Sequence, residues 1–533
     1  MKHKNVARMV VSAGLALSMA ASMAAAPVVA FAGTTQGGIT ITASSGDNAD
    51  TSYNAFKIFS GTVVEKDGSK SISNIAWAGD DVRSAVVSAI KAEDPAYADP
   101  TDAAESAQKA AEFINENITG TSSTSILASA SFGNKLADAI DGIDATKTMT
   151  PGTKASLDEG YYLIVTADVS SKTNQDGTSP IFAIVGGTDV EVSEKTTVPT
   201  VEKKVKDDDA TAFGKAASSE LGKNLDYQIT GTVASNLDTY KTYYYAFEDT
   251  PSKGIDVDQA TIAVAIDGTT VAPTSYKVTT DGGILKVAFE DLKAAKAADG
   301  ATVPVTKDSK VVLTYKASLN ADSVIASKSN DNEVKIEYSN NPNTDQHGFT
   351  NPDKTKDYTY KLSLVKKDKQ NETRTLAGAK FTIQVKNADD TSGDNGKYVQ
   401  ADGSLGTEAH EFTTGEGGTF SIEHIDAGTY TVHETGTPDG YDAVDDFDFT
   451  ITDNAKDMAS VDDALTLSAT TTGASSSIEA DANAGTATLT VKDTKQNGLP
   501  LTGQSGLLVT VLVGGTIVAI SARSLSKRDS EKR

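Results

Sequence analysis

Apolar and polar residues alternate with a period of two over much of this chain, the pattern of strands buried on one face. It begins with Ile39, Ile41, Phe56 and Ile58 in residues 38–60 and returns in Tyr161-Tyr162-Leu163-Ile164-Val165 and Ile181-Phe182-Ala183-Ile184-Val185. Between them the period lengthens. Asp80 and Asp81 open a run through Val82, Val86, Val87 and Ile90, Asp102 and Glu105 form a capping box ahead of Ala110, Phe113 and Ile114, and a third helix is expected over residues 125–140. The spacing predicts a β module with helical insertions, ending near Pro199. From about Pro199 to Pro342, and again from about Tyr358 to Thr494, short Val-, Thr- and Tyr-rich strands divided by Gly, Asp and Pro turns predict two β-sandwiches. The polar stretch from Asn340 to Lys356 reads as a linker. The expected fold is all-β: tandem Ig-like β-sandwich domains, the first with helical insertions.

Alternation also assigns faces. In Val201-Glu202-Lys203-Lys204-Val205 the valines share a face with Lys203, while Tyr243, Tyr245, Phe247 and Asp249 form one inward series and Asn332, Val334, Ile336 and Tyr338 another. A lysine, an acid and an amide thus point inward from three strands. A buried ion pair between Lys203 and Asp249, or a slipped register, accounts for this without chemistry. Alternatively, desolvation favours a neutral amine beside a protonated carboxyl group. The amine then attacks the Asn332 carbonyl, Asp249 polarises it and shuttles protons, and ammonia leaves an intramolecular isopeptide bond. In the next unit Leu362 and Leu364 alternate toward Lys366, and Leu489 and Val491 toward Asp493.

Charge and the two chain ends narrow the function. A net charge of -25 over 533 residues argues against nucleic-acid binding. Cysteine is absent, so any covalent staple uses other side chains. Lys2, Lys4 and Arg8 precede an apolar stretch from Met9 to Val29 that closes on Ala30-Phe31-Ala32, the pattern of a secretory signal cut after Ala32. At the other end Leu499-Pro500-Leu501-Thr502-Gly503 precedes an apolar run, Leu507 to Ile520, and a basic tail. The run halts export, the tail stays cytoplasmic, and contact with the membrane is transient.

This last signal resembles the cell-wall sorting signal of a sortase substrate, which implies cleavage between Thr502 and Gly503 and transfer of the threonine to an amine. The segments Pro199 to Val205, Phe247-Glu248-Asp249-Thr250-Pro251 and Asn332 through Pro342 resemble the isopeptide-forming middle domain of sortase-assembled Gram-positive pilins. Leu376-Ala377-Gly378-Ala379-Lys380-Phe381 and Tyr430-Thr431-Val432-His433-Glu434-Thr435 resemble a collagen-adhesin B-type domain. There the resemblance makes Glu434 the catalyst of a bond between Lys366 and Asp493, which stands where that family usually has asparagine; an ordinary ion pair between Lys366 and Asp493 is the alternative. It also makes Lys195, in Val190-Glu191-Val192-Ser193-Glu194-Lys195, the lysine that receives the next subunit, although Ser193 and Glu194 depart from the family's tyrosine-proline-lysine form. Lys204 and Lys206 are the fallbacks.

The expected domains are 1–32 (signal peptide), 33–195 (N-terminal pilin domain), 196–345 (middle sandwich), 357–495 (collagen-adhesin B-type sandwich) and 499–533 (sorting signal). The reading is a secreted structural subunit of a cell-wall pilus, joined through Thr502 to Lys195 of the next copy. Its expected partners are sortase, other copies of itself, peptidoglycan, accessory pilins and host surface ligands. A monomeric wall-anchored adhesin or accessory pilin is the alternative. No enzyme turning over external substrate, cofactor or metal site is expected: His3, His347, His410, His424 and His433 show no ligand spacing, and Asp389 to Asn395 lacks the glycine register of a calcium loop.

Overall fold

A computed structural model describes residues 36–43, 50–66, 69–118, 132–178, 180–194, 198–325, 329–387 and 392–496. The described residues up to Thr359, together with Asn454–Thr466, form one compact unit; Tyr360–Asp453 and the described residues from Leu467 onward form the other. Strands dominate both units, and the fold is tandem Ig-like sandwiches, with the α-helices among the described residues confined to the first module. No helix among the described residues is long and apolar enough to cross a membrane.

The N-terminal module is built on the antiparallel strands Tyr53–Lys66, Ser69–Trp77, Gly160–Thr166 and Ile181–Val185. Its central strand explains the unbroken apolar run at residues 161–165, because both faces of the sheet are covered. Tyr161 and Leu163 pack against the helices Asp80–Glu93, Ala103–Ile118 and Phe132–Ile140, whereas Tyr162 and Ile164 join Ile39, Ile41 and Val190 of a three-stranded mixed sheet. The second helix begins as its capping residue requires: the Asp102 carboxylate accepts from the amides of Ala104 (3.0 Å) and Glu105 (2.9 Å). The expected third helix is seen over Phe132–Ile140, and the earlier part of its range lies outside the described residues.

The middle sandwich faces a five-stranded sheet, which includes Val201–Lys206, Leu225–Thr232 and Lys310–Leu319, against a seven-stranded sheet that includes Tyr245–Pro251, Asn330–Ser339 and Asp353–Tyr358. Tyr227, Tyr243, Tyr245, Phe247, Leu313 and Ile336 fill the core between them. The stretch expected to be a linker is not one. His347–Phe349 and Asp353–Tyr358 are strands, and both pair with Asn330–Ser339. Their alternation was hard to read because Asp353, Thr355 and Asp357 stand where apolar residues usually mark an inward face.

In the second unit the first strand, Tyr360–Asp368, runs parallel to the last, Thr486–Lys495, with Lys366 opposite Val491 and Asp368 opposite Asp493. A facing sheet carries Lys380–Val385, Gly428–Gly436 and Phe447–Asp453.

Candidate functional site: two buried lysine clusters

Val201–Lys206 is an edge strand, and its alternation turns Lys203 into the core with no exposed surface. The strand is pinned around this residue. The Lys203 amide donates to Asp353 Oδ2 (2.6 Å), while Lys215 Nζ donates to the Lys203 carbonyl (2.8 Å) and to the same carboxylate (2.5 Å). Asp249 and Asn332 come from neighbouring strands of the facing sheet, where Asp249 pairs with Val334 and Pro251 with Asn332. Both are fully buried.

One tyrosine joins the three. Lys203 Nζ donates to Asp249 Oδ1 and to Tyr315 Oη, 2.8 Å away; Tyr315 donates to Asp249 Oδ2 (2.5 Å); Asn332 Nδ2 donates to Tyr315 Oη (2.8 Å). Amine and amide therefore meet on a single phenol oxygen, no farther apart than two such bonds. The expected hydrogen bond from Asp249 to the Asn332 carbonyl is not made: Asn332 Oδ1 is buried without a partner, as is Thr355 Oγ1 on the strand position paired with it. Tyr315 and Tyr227 stack at 5.1 Å, and the lysine nitrogen lies 5.4 and 5.6 Å from their ring centres. Tyr227 in turn donates to Asp357.

The electrostatics favour neutral groups. Desolvation pulls the Lys203 pKa below its usual value of 10.5, with the Asp249 charge opposing the shift. Burial pushes the Asp357 carboxyl up to about 7, against the hydrogen bond from Tyr227 and the nearby lysine charge. Both phenols are held well above their ordinary range, again chiefly by burial. A lowered proton affinity at an amine close to a buried amide favours the neutral nucleophile that amide exchange requires.

Lys366, Glu434 and Asp493 form the second cluster, and none of the three side chains has exposed surface. Lys366 Nζ contacts Asp493 Oδ1 and lies 2.9 Å from Glu434 Oε1, with the Phe381 ring centre 5.0 Å away. Neither approach is aligned as a hydrogen bond. Glu434 is held from its other oxygen, which accepts the Val444 amide at 3.0 Å. Burial raises the Asp493 pKa to about 6, and the Lys366 charge counters it.

The structure thus brings together Lys203, Asp249 and Asn332, and separately Lys366, Glu434 and Asp493. Lys195 and Leu499-Pro500-Leu501-Thr502-Gly503 lie outside the described residues. Lys204 is part-exposed and paired with Glu202 at 3.0 Å. His433 lies on the exposed face, opposite in direction to buried Glu434. Of the acidic turn, Asp389, Asp390 and Thr391 are outside the described residues, and Asp394 is paired with Lys397 at 2.8 Å. Sequence reasoning missed Tyr315, Tyr227, Asp353, Asp357 and Lys215. The signal for Tyr315 was present in Val311, Leu313, Tyr315, Ala317 and Leu319, an inward series with one hydroxyl in it.

Residues 360–464 match the family described as SpaA, prealbumin-like fold domain. No curated protein sequence matches the chain. Among solved structures, the T6 backbone pilin of Streptococcus pyogenes serotype M6, described as a modular three-domain structure, is 15% identical, with 87% of this chain and 98% of that one covered and a TM-score of 0.51. The full-length major pilin SpaD of Corynebacterium diphtheriae is 18% identical over 86% of this chain and 98% of that one, with a TM-score of 0.46. The class defined by the T6 match is one of fold: the modular sandwich architecture of a backbone pilin. The second unit has a narrower likeness, to the prealbumin-like domain.

Proposed function

We propose that this chain is the structural backbone subunit of a covalent surface pilus, with each sandwich stapled by its own amide. The observation that carries the reading is the middle-domain cluster, where a fully buried lysine, with desolvation favouring its neutral form, meets an asparagine amide on one phenol beside a buried acid. An ion pair alone needs no amide at that point. The same reading makes Lys366 and Asp493 a second staple with Glu434 as its catalyst, by loss of water. Export, cleavage after Thr502 by a sortase and acyl transfer to Lys195 of the next copy complete the assembly, and the last subunit is passed to peptidoglycan. The protein chemistry is a single turnover on itself, not catalysis on an external substrate.

Two mass measurements test this. The intact recombinant ectodomain is expected to be lighter than its composition by one ammonia and one water; a mass equal to composition removes both staples. Surface material from cells is expected to yield a branched peptide joining Thr502 to Lys195. Finding Thr502 only on peptidoglycan amines makes the protein a monomeric wall-anchored adhesin instead.

A further inference from the structure

Formation of the Lys203–Asn332 bond needs a proton to travel from the attacking nitrogen to the departing one. Asp249 accepts from the first, whereas the second donates to Tyr315. The group that touches both is Tyr315, whose oxygen is 2.8 Å from Lys203 Nζ and 2.8 Å from Asn332 Nδ2. We propose that Tyr315 is a catalytic residue of this reaction, the proton carrier between the amine and the leaving ammonia. The proposal rests on the reading of Lys203 and Asn332 as a self-forming amide.

The steps balance without any outside reagent. Neutral Lys203 Nζ bonds to Asn332 Cγ, and the carbonyl electron pair moves onto Oδ1. Nδ2, which as an amide nitrogen could only donate, becomes tetrahedral and acquires a lone pair. The hydroxyl of Tyr315 then turns from Asp249 Oδ2 to Nδ2 and gives up its proton, while Oη takes the proton shed by Nζ. The electron pair returns from Oδ1, the Cγ–Nδ2 bond breaks, and ammonia leaves with tyrosine restored. Asp249 takes the extra proton if the amine starts as ammonium, and it holds the phenol through the 2.5 Å bond. Stacking on Tyr227 at 5.1 Å keeps the ring from swinging out of line.

The test follows full-length chain made by cell-free synthesis, digested at intervals and searched for the branched peptide joining the Lys203 and Asn332 segments. Tyr315→Phe keeps the ring and its stacking, and is expected to slow the appearance of that peptide by about a hundredfold or more. Tyr245→Phe removes a hydroxyl of the same core that donates to the Thr232 carbonyl and touches neither reacting nitrogen, and is expected to react near the wild-type rate. If wild type never yields the peptide, the amide reading itself fails. If wild type yields it and Tyr315→Phe keeps pace, or if both variants slow equally, the relay is overturned while the amide stands. Should Tyr315→Phe fail to fold, 3-fluorotyrosine at position 315 preserves shape and makes the phenol more acidic. A changed rate and pH profile are then expected, and an unchanged profile overturns the proposal.

Discussion

Lys366 and Asp493 stand on adjacent parallel strands, one diagonal step apart on the buried face, with their head groups in contact. Lys203 and Asn332 instead project from facing sheets. The two clusters use similar residue types in different geometries, one within a sheet and one across the core.

The carboxyl at Asp493 sets a distinctive pH dependence. A carboxylate resists attack by an amine, so bond formation requires its protonated form. Burial raises its pKa to about 6, so the protonated fraction grows as pH falls toward that value. An attacking amine must be neutral at the same time, and its neutral fraction shrinks in the same direction. The two requirements offset, and the rate of water loss in the second unit is expected to change by less than about tenfold between pH ~8 and pH ~6. Asp493→Asn removes the acid requirement, and its bond formation is expected to speed up as pH rises and to release ammonia instead. Time-resolved intact mass at several pH values checks both.

Asp249→Asn is expected to leave the middle sandwich folded but uncrosslinked. Between Lys203 and Asn332 the closed loop is 332 - 203 = 129 residues. Losing that closure costs roughly 5 kcal/mol in the chain-entropy model. Thermal melts and protease digestion of the variant, alongside its mass, measure the loss.

Asp357 penalises the folded state as pH rises. Its carboxyl ionises near 3.8 when solvated and near about 7 in the fold, so the folded state prefers the protonated form. The sign follows: the penalty is absent below the lower value, grows across the interval and is complete above the upper one. Asp357→Asn is expected to change stability little near pH ~4 and to raise it by on the order of 2–4 kcal/mol at pH ~8. Denaturant titrations of both proteins across this window provide the check.

Lys195→Arg is expected to remove the ladder of multimers that boiling detergent leaves intact in wild-type extracts, with the single-subunit band retained. Lys204→Arg and Lys206→Arg are expected to leave the ladder unchanged. Denaturing electrophoresis of cell extracts reads all three.

Much of this arrangement was legible because a strand has a period of two, so one apolar neighbour fixes the direction of every other residue. Val205 and Val334 gave away Lys203 and Asn332 in this manner, and Leu364 and Val491 did the same for Lys366 and Asp493. Direction is not distance, however. That Tyr315 would stand between Lys203 and Asn332 depends on which strands face across the core, and nothing local encodes that. The strand carrying Asp353, Thr355 and Asp357 escaped for a different reason: its inward face is polar, and its hydrogen bonds come from Tyr227, Lys203 and Lys215, residues more than a hundred positions earlier. The helices were easier, since Asp102 caps its own chain.

The strands that follow Asn332 have a mechanical consequence. Once both amides exist, tension along the backbone passes from Lys203 directly to Asn332 and from Lys366 directly to Asp493, so residues 204–331 and 367–492 are bypassed. The segment 333–359 is not. Under pull it is held by its ladder pairing, by Ile336 and Tyr338 in the core, by Tyr227 on Asp357 and by the clamp of Asp353 on Lys215 and on the Lys203 amide. That span bears its load through non-covalent contacts alone, unlike the chain enclosed by either staple.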